Sequence, residues 1–171
     1  MRLSSPWIWS TLPSSPTLPS GPFLLTQDKA PFATGRAGYR DSIPEADRPG
    51  PDLVVRIKPQ PLDFSVFAVV DTAAPWCILE PGIGYRLMDY LEPTGKPVIL
   101  STRLGFIKGN LYRGVVTLIA QEGKDLEIDA TIFLSPDWQG GNFIGYEGML
   151  ERARFAVDPG TNLFYFGEVG R

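Results

Sequence analysis

From Leu53 onward the apolar residues of this chain come in short runs, each cut off by Gly, Pro or Asp within a few positions. That spacing suits β-strands of ordinary length and leaves little room for long helices. Leu53 to Ile57, Phe64 to Val70, Trp76 to Leu79 and Val115 to Ala120 each read as a strand. The near-continuous run from Phe64 to Val70 suggests a strand covered on both faces, with Asp71 at its end. Between 126 and 134 the pattern alternates: Leu126, Ile128, Ala130, Ile132 and Leu134 share one face, and Glu127, Asp129 and Thr131 the other. Gln121 to Asp125 has a glycine in its middle, so strands 115–120 and 126–134 are expected to form a hairpin. Phe155 to Gly167 reads as strand, turn at Asp158-Pro159-Gly160, and strand. One segment, Tyr146 to Arg154, reads as a short helix. The expectation is an all-β fold, a small closed barrel or sandwich with one short C-terminal helix.

Residues 1–52 have a different texture. Pro and Ser cluster at Leu12-Pro13-Ser14-Ser15-Pro16, and Pro recurs at Arg48-Pro49-Gly50-Pro51, with little apolar periodicity. This part is expected to be an extended or partly disordered arm whose scattered Trp7, Trp9, Phe23, Leu24, Leu25 and Tyr39 could dock on the folded domain, residues 53–171.

Scarce residue types narrow the chemistry. The 171 residues contain no histidine, which removes Ser-His and Cys-His couples, imidazole acid–base work and His-ligated metal. The single cysteine, Cys77, sits inside Trp76-Cys77-Ile78-Leu79, where a buried, inert thiol is expected. Any catalysis is therefore expected to fall to carboxylates, and neither a metal nor a cofactor is expected. A net charge of -3 with no runs of Lys or Arg argues against nucleic acid. No apolar stretch approaches the roughly 18 residues a membrane span needs, and the start lacks a signal-peptide apolar core, so a cytoplasmic location is the default expectation.

Two short motifs stand in a suggestive order. Val69-Val70-Asp71-Thr72-Ala73-Ala74 puts an acid and a hydroxyl at the tip of a strand, and Asn142-Phe143-Ile144-Gly145 puts an apolar pair and a glycine ahead of the expected helix. Between them Lys96-Pro97-Val98-Ile99-Leu100 runs towards Gly105-Phe106-Ile107-Lys108. This order resembles the retropepsin-like aspartic proteases over residues 53 to 169: two apolar residues before Asp-Thr/Ser-Gly, a flap hairpin, then an apolar-apolar-Gly loop.

The resemblance implies an acid-protease-type barrel with Asp71 as catalytic acid–base and Thr72 as a hydrogen-bonding brace beneath it. It implies Ala73, Ala74 and the flap tip Thr102, Arg103, Leu104 and Gly105 against an extended peptide or unfolded protein, with Ile144 and Gly145 in the second loop. Two close carboxylates cannot both ionise easily, so they hold one proton between them and can act as base and acid together. The chain has one such motif, so a homodimer would supply the second carboxylate. Ala73 stands where the family has glycine, and its Cβ is expected to crowd the cleft or strain a loop suited to glycine. Two other readings stay open: a catalytically inactive module of the same fold that binds peptides or assembles, and an unrelated β-sandwich in which Asp71 caps a turn.

Overall fold

The structure, a computed structural model, describes residues 23–39, 53–102 and 105–170. Among them strands dominate. In chain order they are β1 (Leu24–Leu25), β2 (Pro31–Ala33), β3 (Gly35–Gly38), β4 (Val54–Pro59), β5 (Val66–Asp71) and β6 (Cys77–Ile78). After the helix α1 (Pro81–Met88) come β7 (Val98–Thr102), β8 (Gly105–Leu118), β9 (Glu122–Gly123), β10 (Leu126–Leu134) and β11 (Phe143–Gly145). A single 3-10 turn (Leu150–Arg152) precedes β12 (Ala153–Asp158) and β13 (Leu163–Glu168).

The larger sheet runs β10-β6-β11-β5-β4-β8-β7, and β10 also pairs with β8. The pairings therefore run round in a ring rather than ending at β10, leaving β7 outside it. Two members of this ring, β6 and β11, are only two and three residues long. It is thus a ring of paired strands with a short segment in its wall, where the sequence suggested a closed barrel. The expected β8–β10 hairpin is present, in register from Leu126 opposite Leu118 to Leu134 opposite Asn110.

The alternation in β10 sends Leu126, Ile128, Ala130 and Ile132 into the core, while Glu127 and Asp129 stay exposed. Phe133 departs from the pattern. It is fully buried in a second, smaller cluster with Ile78 and Leu100, on the other face of the strand. Burying side chains of this size stabilises the fold by about 1.5–3 kcal/mol each.

Two expectations are corrected. The helix lies at Pro81–Met88 and not at Tyr146–Arg154, so the fold has no C-terminal α-helix among the described residues. Around Gly148 the backbone groups are committed elsewhere: Gly148 N–H donates to Pro75 O at 2.8 Å, and Thr131 N–H donates to Gly148 O at 2.8 Å. Bonds to other segments replace the i to i+4 ladder. Pro81 opens α1 at a position where its missing N–H costs nothing, and Ile83 and Leu87 carry its buried face. The second correction concerns β5, expected to be covered on both faces: Phe67 is 40% exposed, and of its six residues Ala68 and Val69 alone are buried. The arm docks as its apolar residues allowed. Its described part, residues 23–39, folds against the domain: β3 pairs with β13 and β9, and Arg36 meets Glu122 at 2.7 Å while lying over the Phe23 ring. Residues 1–22 and 40–52 lie outside the described residues. Among the described residues no helix is long and apolar enough to cross a membrane.

Candidate active site

Asp71 ends β5, a strand held on one side by β4 and on the other by β11. The β5–β11 pairing is parallel, with Phe143 opposite Val69, Ile144 opposite Val70 and Gly145 opposite Asp71. At the Asp71 end the backbone turns sharply. Ala73 N–H donates to Asp71 Oδ1 at 2.9 Å, and Ala74 N–H donates to Asp71 O at 3.2 Å. One carboxylate oxygen is thus fixed by the chain's own backbone. Asp71 is half-buried, Thr72 and Ala73 are exposed, and Ala74 is buried.

The second loop closes on the first. Tyr146 N–H donates to Ala74 O at 2.8 Å, next to the Gly148–Pro75 bond. A Cβ at Gly145 would stand 2.3 Å from Trp76 O and 2.7 Å from Ala74 O, so only glycine allows this approach. Ile144 is fully buried beneath it. Asp71, Ala73, Ala74, Ile144 and Gly145 therefore come together as two loops stitched through backbone bonds.

At Ala73 the structure bears on one of the two expected effects, strain in a loop suited to glycine. Among the described residues the non-glycine positions with positive φ are Lys29 and Asn162, so Ala73 is in ordinary backbone space. A glycine's freedom is not used there, and alanine brings no strain to the turn.

The hairpin β7–β8 pairs Thr102 with Gly105, and Arg103 and Leu104 lie outside the described residues. Thr102 Oγ1 donates to Gly105 O at 2.9 Å, and Gly105 has φ +119°, a conformation that suits glycine alone. The inner face of the hairpin carries Val98, Leu100 and Ile107, packed in the smaller cluster with Ile78, Phe133, Trp76 and Phe143. These last residues flank the two loops, so the hairpin is fastened to the same strands that place Asp71. Its outer face leaves Phe106 81% and Ile99 67% exposed.

Cys77 is buried beside Met149, and burial pushes its thiol up to about 11. It is protonated at neutral pH and not a nucleophile. Among the described residues no group of three or more His, Cys, Asp or Glu is placed to hold a metal.

Two features of this region stand outside the motifs: loop aromatics, of which Trp138 beside Gly140-Gly141 reads from sequence as a cap on the core, and an asparagine that gives little signal of its role. Trp76 stacks on Phe133 at 6.1 Å, and Trp138 meets Phe143 edge-on at 5.8 Å, its Nε1–H donating to Gly141 O. Trp138 is a loop aromatic that caps the smaller cluster. The second feature is Asn142, whose side chain bonds two different segments. Its place before the Phe-Ile-Gly motif is the available signal, but an asparagine beside two glycines reads equally as a turn.

Among solved structures the chain is similar to a retropepsin-like aspartic protease from Rickettsia conorii, at 18% identity and a TM-score of 0.48 over 77% of this chain and 89% of that one. At that level the likeness does not carry chemistry from one protein to the other. No protein-family model matches the chain, and no curated protein does.

Proposed function

We propose that this chain is half of an aspartic endopeptidase, a homodimer in which Asp71 of each copy contributes one carboxylate to a shared site. The observation that carries this reading is the setting of Asp71: a half-buried carboxylate at a strand end, oriented by Ala73 N–H on one oxygen and backed by Gly145 of a second loop. A carboxylate held this way has its outer oxygen available to a second carboxylate across a two-fold axis. The exposed Thr72 hydroxyl next to it can donate and accept, which suits a brace between copies.

In the mechanism the pair holds one proton. The ionised carboxylate takes a proton from water as the water oxygen attacks the peptide carbonyl carbon. The protonated carboxyl gives its proton to the carbonyl oxygen, forming a neutral gem-diol. Collapse of the diol breaks the C–N bond, with a proton passing from the diol to the amine through the same pair. The hairpin would cover an extended peptide or unfolded chain, with Thr102, Arg103, Leu104 and Gly105 along its backbone. Ala73 and Ala74 would lie beneath. No cofactor enters these steps.

The inactive-module reading rests on Ala73 crowding the cleft or straining its loop; a φ outside the left-handed region speaks against the second effect and leaves the first to experiment. The test is cleavage of an unfolded protein at mildly acidic pH by the purified chain, with its mass measured under the same conditions. Cleavage blocked by a statine-like inhibitor and lost in Asp71→Asn supports the reading; a stable monomer, or cleavage that persists in Asp71→Asn, sinks it.

A further inference from the structure

The strand that places Asp71 against the second loop is very short. β11 has three residues, so few ladder bonds hold it at its level along β5. A slip of one residue would put Ile144 or Tyr146 opposite Asp71, where the contact with Trp76 O leaves no space for a Cβ. Sterics thus forbid the wrong registers, and bonds beyond the ladder decide how firmly the right one is held.

Asn142, the residue before β11, is 9% exposed and bonds to two segments. Its Nδ2–H donates to Phe67 O at 3.1 Å, and its own carbonyl accepts from Val69 N–H at 2.8 Å. Both partners are on β5. Its Oδ1 accepts from Glu80 N–H at 3.0 Å, at the point where the chain leaves β6 and enters α1. The side chain spans the return path of the Asp71 loop: β5 leads into Asp71, and β6 leads away to Glu80. Two of the bonds hold β11 at one level along β5, and the third holds the exit of the loop to the same residue.

We propose that Asn142 is a positioning residue for the Asp71 carboxylate, acting by locking the register of β11 on β5. The inference rests on the proposed proteolytic function, since its readout is the chemistry of Asp71. A carboxylate displaced by a fraction of an ångström from its partner loses the shared proton geometry, and misplacements of about 1 Å cost on the order of 100-fold in rate. Substrate contacts lie elsewhere, so the loss belongs in kcat and not in KM.

Two variants separate positioning from plain stability. Asn142→Ala removes both side-chain bonds. Asn142→Asp keeps the acceptor for Glu80 N–H and loses the donor to Phe67 O while ionised; once protonated, the carboxyl regains that donor. The bonded partners at this position are backbone groups of Phe67 and Glu80: burial and the Phe67 carbonyl favour the protonated carboxyl, while Glu80 N–H favours the ionised one. The experiment measures kcat and KM of the dimer and both variants from neutral to acidic pH, with thermal unfolding alongside.

The expected result is a fall in kcat of about 100-fold for Asn142→Ala with KM within about threefold. For Asn142→Asp the kcat ratio to the wild type should lie well below one near neutral pH, where the bond to Phe67 O is lost, and climb towards one in acid. A kcat equal to the wild type in a folded Asn142→Ala overturns the proposal, whatever its melting temperature. So does an Asn142→Asp ratio that stays flat with pH, and this second variant keeps the test open if Asn142→Ala does not fold. A wild-type chain that cleaves nothing overturns the protease reading itself, and this inference with it.

Discussion

Gly145 lies directly opposite Asp71 in the parallel pairing of β11 with β5, and it is the approach of Gly145 to Trp76 O and Ala74 O that closes one loop on the other. A methyl group there would meet backbone oxygen at 2.3 Å, and backbone cannot step aside as a flexible side chain would. Gly145→Ala is expected to destabilise the fold by about 1–3 kcal/mol, the usual cost of overpacking. Urea unfolding would show it as a lower midpoint with an unchanged m-value, because the compactness of neither end state changes. A midpoint equal to the wild type would mean that the two loops separate easily.

Asp71→Asn should part activity from stability. The Asn carbonyl oxygen can still accept Ala73 N–H, and the residue is only half-buried, so the melting temperature should move by no more than about a degree or two. The amide cannot share or carry a proton in this role, so kcat/KM should fall by about 10³-fold or more. Paired thermal melts and peptide-cleavage assays check both halves. A large loss of stability would point to Asp71 as a structural turn cap.

Part of the framework around Asp71 was legible in the sequence, for physical reasons that differ from residue to residue. Leu126 to Leu134 declared itself because a half-buried strand must alternate, and Val66 to Asp71 because an apolar, β-branched run cut off by an acid reads as a strand and its end. The helix at Pro81–Met88 was hidden because Pro81, Gly82 and Gly84 in eight residues read as a turn; Gly84 is there because it packs against Leu134. Tyr146 to Arg154 has helical spacing, yet its backbone is held by Pro75 and Thr131, partners far away in sequence that no local pattern contains. Phe23 to Tyr39 shows apolar residues that could dock but no strand pattern, for the same reason, since its strand β3 exists only as a neighbour of β13 and β9.

Ala73→Gly tests whether the departure from the family pattern matters. Ala73 sits in ordinary backbone space, so glycine relieves nothing in the folded state and adds freedom to the unfolded one. Stability should fall by about 0.4–1 kcal/mol, read from the denaturation midpoint. Catalytic rate should stay within about threefold of the wild type, well under the loss of about 100-fold expected from a misplaced carboxylate. A gain in stability, or a large gain in kcat, would show that the methyl group strains the turn or crowds the cleft after all.

Cys77 gives the fold an alkaline limb. Burial favours the neutral thiol, so its pKa rises from 9.0 to about 11 on folding. Below pH 9 both folded and unfolded chains carry the protonated thiol, and the group has no effect on pH dependence. Between about 9 and 11 the unfolded chain loses the proton while the folded chain keeps it, so the unfolded state binds fewer protons and stability declines as pH rises. The full difference is on the order of 2–3 kcal/mol. Urea midpoints measured from about pH 8 to 11 should fall more steeply in the wild type than in Cys77→Ala, which starts lower because of its cavity but lacks this ionisation. Alkylation of the native protein at about pH 8 should be slow and limited by opening of the fold. Rapid modification, or parallel pH slopes in the two proteins, would place the thiol within reach of solvent and against the packing of β6 under Met149.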